Sequence, residues 1–324
     1  MMKQGNRNWS MTDKQQNIYE NLWEQAHKVF DWRTHHQGHR GTERYRDSVR
    51  AFCKHIAIEY RSKNFKNISD KHLMSFVKAS NDSNISSSAL KTDLAAIRKL
   101  HAMLPKKRYE QLENNNKKLG VEQRQNVGVD RAWKNNEVAK AIEHAKVTSR
   151  SDVRWSIQCA RSLGLRMEEV TGLTKTQLRD ALTKGYVHLT KTKGGIQRDV
   201  PLNPSAERTF RDMVANASNE KIFIGHGRTH KQAMKSIQNW IHNHREIFKE
   251  DNVLNNKDQQ YKKDLNINYE RKNLTFHGLR HAYARGQYEN ALKYTSNLQE
   301  ARQQVSTLLG HGRDDVTRIY LAKS

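Results

Sequence analysis

Hydrophobic residues recur at three- and four-residue steps along much of the chain, which is the spacing of one face of an α-helix. The first such stripe predicts a helix between about Ser10 and Phe30, with an apolar face made of Ile18, Leu22, Ala26, Val29 and Phe30. A His-rich stretch separates this helix from the next apolar stripe. We therefore predict an N-terminal helical extension over residues 1–40.

A second group of helices is predicted over residues 41–112. Ser69 and Asp70 have the character of a helix start and precede one of its stripes. Three or four short helices would pack into a small bundle through such stripes. The stripes consist of Tyr45, Val49, Phe52, Ile56 and Tyr60, then Leu73, Phe76 and Val77, and then Leu90, Leu94, Ile97, Leu100 and Leu104.

The chain becomes polar after Pro105 and loses its apolar periodicity, which predicts a linker over residues 113–131. Helical stripes return over residues 132–324, so this range is predicted to be a second domain. Within it, two short segments predict a β-hairpin around Gly194 and Gly195; they are Tyr186–Thr190 and Gln197–Pro201.

The charged, Asn-rich segment 250–272 has few apolar residues and is predicted to be a flexible insertion. Only three prolines occur in 324 residues, so long stretches can be helical. Hydrophobic residues make up 35% of the chain, which indicates folded cores beneath a large polar surface. Together these features favour a mainly α protein.

The net charge of +24 points to a polyanionic partner. Duplex DNA carries about one negative charge per 1.7 Å and releases condensed counterions when Lys or Arg neutralises its phosphates. Nucleic acid is therefore the leading partner, and a membrane surface or no polyanion at all are the alternatives. The second helical group would offer a basic face made of Arg44, Arg46, Arg50, Lys54, Lys91, Arg98 and Lys99, and an ordinary solvated face is equally consistent with those residues.

No segment has the 18–20 or so apolar residues of a membrane-spanning helix, and the first residues lack the apolar core of a signal peptide. We therefore expect a cytoplasmic, nucleoid-associated protein with no membrane partner. Cys53 and Cys159 lie far apart on helical apolar stripes and are predicted to be buried free thiols. The cluster of His35, His36 and His39 lacks enough neighbouring ligands to predict a metal site.

Four separated segments of the second domain carry chemically competent side chains. They are Gly164–Val170 with Arg166 and Glu169, Lys191–Gly195 with Lys193, His277–Ala282 with His277 and Arg280, and Leu308–His311 followed nine residues later by Tyr320. His277 and Arg280 are one helical turn apart and would share a face. Each segment alone is ordinary, because basic residues are common here and Tyr320 could be a core aromatic. Their order and the interval from His311 to Tyr320 are what make them informative.

These segments, in this order, resemble the catalytic domain of the tyrosine recombinases, the phage-integrase type of DNA recombinase. The resemblance implies a helical core-binding domain followed by a mixed α+β catalytic domain, mostly helical with a small antiparallel sheet. It also implies that Tyr320 is the nucleophile, Arg166 and Arg280 the catalytic arginines, and Glu169 the acidic support of the first arginine. Lys193, His277 and His311 match the remaining catalytic positions. A metal or nucleotide cofactor is not expected.

The residue types fit that chemistry. Arginine donates paired hydrogen bonds to phosphate oxygens, and two arginines can stabilise the charge that develops in an in-line attack. Tyrosine gives a covalent phosphoryl ester, so that rejoining the strand requires no ATP. No GxxxxGK[ST] loop occurs.

The resemblance further implies double-stranded recombination sites as the partner, with a homotetramer on DNA and accessory DNA-bending or directionality factors as further candidates. The extension 1–40 either contacts accessory DNA or covers the core-binding bundle. The rival functions are a type IB topoisomerase, which uses similar chemistry as a monomer, and a catalytically silent DNA-binding relative.

Overall fold

The structure is a computed structural model that describes residues 9–30, 39–122, 129–190, 197–250, 270–271, 273–310 and 314–321. The chain divides into two compact units, Met1–Gln125 and Asn126–Ser324. Both are mostly helical, and a two-stranded antiparallel sheet lies in the second. The predicted fold class is confirmed.

The first unit is a helical bundle whose core is formed by the predicted apolar stripes. Its helix α1 packs into that core through Ile18, Leu22 and Ala26, so the N-terminal helix covers the bundle. A π-helical turn, Ile56–Tyr60, continues from the end of the second helix. The helices are α1 (Asp13–Val29), α2 (His39–His55), α3 (Asp70–Asp82) and α4 (Ser87–Met103).

The chain beyond α4 folds back on the first unit. Leu112, Leu119 and Val121 are buried in the same core, and the backbone N–H of Glu113 donates to Asp70 Oδ1 at 2.7 Å. Three isolated apolar residues give no periodicity, which is why the sequence pattern indicates a linker here. The part of the predicted linker up to residue 122 thus contributes to the core of the first unit.

Several basic side chains of this bundle have partners inside the unit. Arg44 pairs with the buried Asp93 at 2.6 Å, and Arg98 donates to the carbonyl of Glu113 at 2.8 Å. Arg50 lies over the Trp23 ring at 4.7 Å from its centroid. The predicted basic face therefore includes side chains that also stabilise the bundle.

The second unit surrounds α6, which packs against α5, α9 and α11. Cys159 lies on α6 and is a buried free thiol, as is Cys53 in the first unit, which confirms both cysteine predictions. Burial raises the pKa of the Cys159 thiol to about 12. The helices are α5 (Asn135–Val147), α6 (Ser151–Leu163), α7 (Met167–Thr171), α8 (Lys175–Lys184), α9 (Pro204–Asn216), α10 (His230–Phe248), α11 (Phe276–Ala291), α12 (Leu298–Leu309) and α13 (Asp314–Leu321).

Two pairs of short strands complete this unit. β2 (Tyr186–Leu189) and β3 (Arg198–Pro201) are antiparallel, with Leu189 opposite Arg198, which confirms the two predicted strands; the predicted turn at Gly194 and Gly195 lies outside the described residues. β1 (Val129–Asp130) pairs in parallel with β4 (Glu270–Arg271), a pairing that the sequence pattern does not indicate. Apart from Glu250, β4 is all that is described of the predicted insertion 250–272. No helix among the described residues is long and apolar enough to cross a membrane.

Candidate active site

Helix α11 carries His277 and Arg280 and is held closely at its first turn. Trp133 Nε1 donates to the carbonyl of Thr275 at 2.8 Å, just before the helix begins. Gly278 faces the backbone carbonyl of Arg131 and the same tryptophan, and a Cβ placed there would clash with that carbonyl and lie 2.7 Å from the ring. Glycine therefore permits the close approach that fixes the start of α11.

Arg280 is almost fully buried, with 1% of its surface exposed. Its guanidinium donates to two backbone carbonyls, those of Gly164 and Leu309, the latter at 2.6 Å. These carbonyls lie at the C-terminal ends of α6 and α12, where unpaired carbonyls concentrate negative charge. Burial lowers the pKa of Arg280 to about 10, so that the guanidinium is still protonated at neutral pH.

Tyr320 lies on α13, packed against α11 of the same chain. Its ring centroid is 5.5 Å from that of His277 and 4.5 Å from that of His281. The Arg280 Cζ atom lies 5.6 Å from the centre of the tyrosine ring. The predicted nucleophile is therefore beside the predicted His-x-x-Arg pair within one chain.

Arg166 is the N-cap residue of α7, and Glu169, in the first turn of that helix, accepts two hydrogen bonds from Arg166. Glu169 Oε2 accepts from the backbone N–H of Arg166 at 2.8 Å, and Oε1 accepts from its Nη1 at 2.9 Å. Arg198 donates to the same two oxygens, at 3.0 Å to Oε1 and 2.8 Å to Oε2. Burial alone would raise the pKa of Glu169, but the Arg166 backbone and the charges of Arg198 and Arg166 lower it below its ordinary value.

The guanidinium of Arg280 is close enough to those of Arg166 and Arg198 to be repelled by them. Besides burial, the positive charges of Arg166 and Arg198 help to lower the pKa of Arg280. Three arginines and one glutamate leave a net positive centre beside Tyr320. Such a centre favours a phosphate diester with its non-bridging oxygens turned toward the guanidinium groups.

The structure brings together five of the predicted site residues, which are Arg166, Glu169, His277, Arg280 and Tyr320. Lys193 and His311 lie outside the described residues.

Two further residues, Arg198 and His281, lie in the site without having been predicted. Arg198 alternates with the buried Val200 on β3, a period of two that places both on the inner face. His281 follows His277 by four positions and therefore shares its helix face.

His281 is buried against the helix that carries Tyr320. Its Nδ1 donates to the backbone carbonyl of Tyr320 at 3.3 Å, and 2% of its surface is exposed. Burial, and then the neighbouring His277, lower the pKa of His281 to about 3. The imidazole is therefore neutral and links α11 to α13.

Comparison with known protein families finds matches to phage integrases along most of the chain. The sequence model of the phage integrase family matches residues 132–324, and that of the phage integrase N-terminal SAM-like domain matches residues 38–108. No curated protein sequence matches the chain.

Three solved structures illustrate the likeness of fold. A lambda integrase tetramer bound to a Holliday junction has 16% identity and a TM-score of 0.59, over 98% of this chain and 78% of the other. The Tn1549 transposon integrase in complex with a circular intermediate DNA has 14% identity and a TM-score of 0.57, over 96% and 95%. The XerH recombinase bound to its difH substrate before cleavage has 16% identity and a TM-score of 0.55, over 98% and 94%.

Proposed function

The chain belongs to the phage integrase family, and from that premise we propose that it is a site-specific DNA recombinase that cleaves and rejoins duplex DNA through Tyr320. The observation that carries the proposal is the packing of Tyr320 against His277 and Arg280 of the same chain. A nucleophile beside a buried, protonated guanidinium and a histidine is arranged for attack on a phosphodiester.

The proposed reaction begins when Tyr320 Oη attacks the scissile phosphorus. The bond from phosphorus to the 5′-oxygen breaks, leaving a 3′-phosphotyrosyl ester and a free 5′-hydroxyl. Arg166 and Arg280 stabilise the charge on the non-bridging oxygens. Lys193 protonates the departing 5′-oxygen. The phenol proton of Tyr320 passes to one of the two histidines, His277 or His311, and the other hydrogen-bonds the phosphate.

Rejoining is the reverse of this step with a different strand. The 5′-hydroxyl of a partner duplex attacks the phosphotyrosyl ester and releases Tyr320. Exchange between two duplexes requires four active sites, and the similar lambda integrase is a tetramer on a Holliday junction. We therefore propose double-stranded recombination sites as the substrate and a homotetramer on DNA as the working assembly, with accessory DNA-bending or directionality factors as further partners.

The test is capture of the covalent intermediate. The full chain is incubated with sheared DNA from the organism that carries the gene, and adducts that survive denaturing detergent are isolated and sequenced. We expect one recurrent sequence attached through its 3′-phosphate to Tyr320. Tyr320→Phe should bind the same duplex with unchanged affinity and form no adduct, because only the attacking oxygen is lost.

Other outcomes are equally informative. An adduct of wild-type yield from Tyr320→Phe would remove Tyr320 from the role of nucleophile. Adducts spread over unrelated sequences, with relaxation of supercoiled plasmid and no strand exchange, would indicate a topoisomerase. Tight binding to one sequence without any adduct from the wild-type chain would indicate a silent DNA-binding relative.

A further inference from the structure

Arg198 has a place in the site that the catalytic scheme above does not use. Both of its terminal nitrogens donate to Glu169, at 3.0 Å and 2.8 Å. The Arg198 side chain is 7% exposed and the Glu169 side chain 1% exposed. Because the Arg198 side chain is nearly buried and both terminal nitrogens donate to Glu169, its guanidinium is oriented toward that carboxylate.

The Glu169 carboxylate, which both arginines contact, sets the net charge around Arg166 and the orientation of its guanidinium. Glu169 carries one negative charge and contacts two arginines, so the group of three retains one positive charge. Without Arg198, Glu169 would pair with Arg166 alone and cancel its charge in a buried setting, where Coulombic interactions are strong. The two-pronged contact from Arg198 also fixes the plane of the carboxylate, and with it the orientation of the Arg166 guanidinium.

The Arg198 side chain also lies close to the end of α12, where Arg280 is bound. Gly310 ends α12 with a left-handed φ of +67°, and a Cβ there would lie 2.9 Å from Arg198 Cδ and 3.0 Å from its Nη1. The preceding residue, Leu309, provides the carbonyl that binds Arg280. Arg198 thus lies between Glu169, which holds Arg166, and the end of α12, which holds Arg280.

We propose that Arg198 is a positioning residue of the strand-cleavage reaction, acting through Glu169 on Arg166. The inference rests on the proposed function. Arg198 touches no reacting atom in this scheme. It keeps the group around Glu169 net positive and Arg166 oriented toward the scissile phosphate, and it ties β3 to that group.

The test measures single-turnover adduct formation on the duplex recovered from the wild-type adduct. Arg198→Ala should slow cleavage by roughly 10- to 10³-fold, at or below the effect of removing one oxyanion donor. Its affinity for the duplex should stay within about threefold of wild type. Arg198→Lys keeps the charge but loses the two-pronged contact, so its rate should lie between those of Arg198→Ala and wild type.

A double variant distinguishes positioning from an independent contribution. If Arg198 acts mainly through Arg166, then Arg166→Ala combined with Arg198→Ala should be no more than about threefold slower than Arg166→Ala alone, because effects on one linked group do not multiply. Multiplied losses would overturn the proposal.

Arg154→Ala is the matched control, because it removes a part-buried ion pair to Asp212 in the same unit, away from the site. It should change the melting temperature without changing the rate of cleavage in the folded protein. If Arg198→Ala does not fold, a wild-type rate from Arg198→Lys would still refute the positioning role. A wild-type chain that forms no adduct refutes the proposed function itself, whereas a normal wild-type adduct with an equally fast Arg198→Ala refutes only this inference.

Discussion

Arg280 shows how one residue can serve both the core and the site. A buried guanidinium is costly unless its donors are satisfied, and here two helix ends provide the carbonyls of Gly164 and Leu309. Those bonds fix three segments of the second unit around one cation. The same cation lies beside Tyr320, so the bonds that stabilise the unit also orient the charge that the proposed reaction uses.

His281 leads to a prediction about stability and pH. Its pKa is about 3 in the folded chain, against about 6.5 for an unperturbed histidine. Between these values the unfolded chain binds a proton that the folded chain does not. The free energy of unfolding of the second unit should therefore fall as the pH drops below about 6.5, by at most about 1.4 kcal/mol per pH unit from this group.

His281→Asn removes the titration while keeping a donor near the position of Nδ1. Urea unfolding at pH 7 and pH 5 should show a smaller loss of stability for this variant than for wild type. The control is His226→Asn, which replaces an exposed histidine, and the pH dependence of His281→Asn is compared with it. Equal losses in wild type and His281→Asn would show that His281 is not the buried neutral imidazole described above.

At the scale of elements, α11 is the helix on which the site depends. Its first turn is held by Trp133 through the Thr275 carbonyl. Further along, Arg285 pairs with Asp130 through two contacts, at 3.0 Å and 2.7 Å, which attaches the helix to β1. Because His277, Arg280 and His281 all lie between these anchors, a small shift of α11 would move each of them.

Gly278→Ala tests this dependence. The added methyl would clash with the backbone carbonyl of Arg131 and lie 2.7 Å from the Trp133 ring, and overpacking of this kind typically costs about 1–3 kcal/mol or more. We expect lower stability in urea and slower adduct formation, with DNA affinity retained. Gly286→Ala lies on the same helix with no atom within 4 Å of the new Cβ. It should gain up to about 1 kcal/mol from helix propensity. Similar losses from both variants would contradict the close contact at Gly278.

At the scale of the whole molecule, the net charge of +24 is spread over two helical units. In the first unit some of that charge is internal, since Arg44 pairs with Asp93 and Arg98 donates to the Glu113 carbonyl. The remaining basic side chains are the ones available to phosphates. The number of Lys and Arg residues therefore overstates the number of phosphate contacts.

The affinity of the full chain for its duplex should fall steeply with salt. A protein that makes 6–10 phosphate contacts loses roughly 10³–10⁵ in affinity between about 50 and 200 mM salt. Fluorescence anisotropy with a labelled duplex measures this slope directly. Arg44→Ala should mainly lower the stability of the first unit, because its guanidinium is held by a buried carboxylate. An affinity that does not change with salt concentration would argue against binding through phosphate contacts.

The sequence by itself determined the helical character of the chain and the two strands of the antiparallel pair, and it named five residues that the structure brings together. Periodicity at 3.6 residues is a local property, so Ile18, Leu22 and Ala26 or Leu90 and Leu94 indicate their buried faces without knowledge of the fold. The motifs around Arg166, His277 and Tyr320 are likewise short segments whose order along the chain carries the resemblance.

Only the tertiary structure decided which distant groups meet. The carbonyls that bind Arg280 belong to helix ends 116 and 29 residues away in sequence, and Arg198 reaches Glu169 across 29 residues. Such contacts leave no periodic signal, because a single polar residue on a short strand is compatible with solvent or with a buried partner. The same holds for Leu119 and Val121, which are isolated apolar residues in a polar segment and find the core of the first unit only after the chain has folded back.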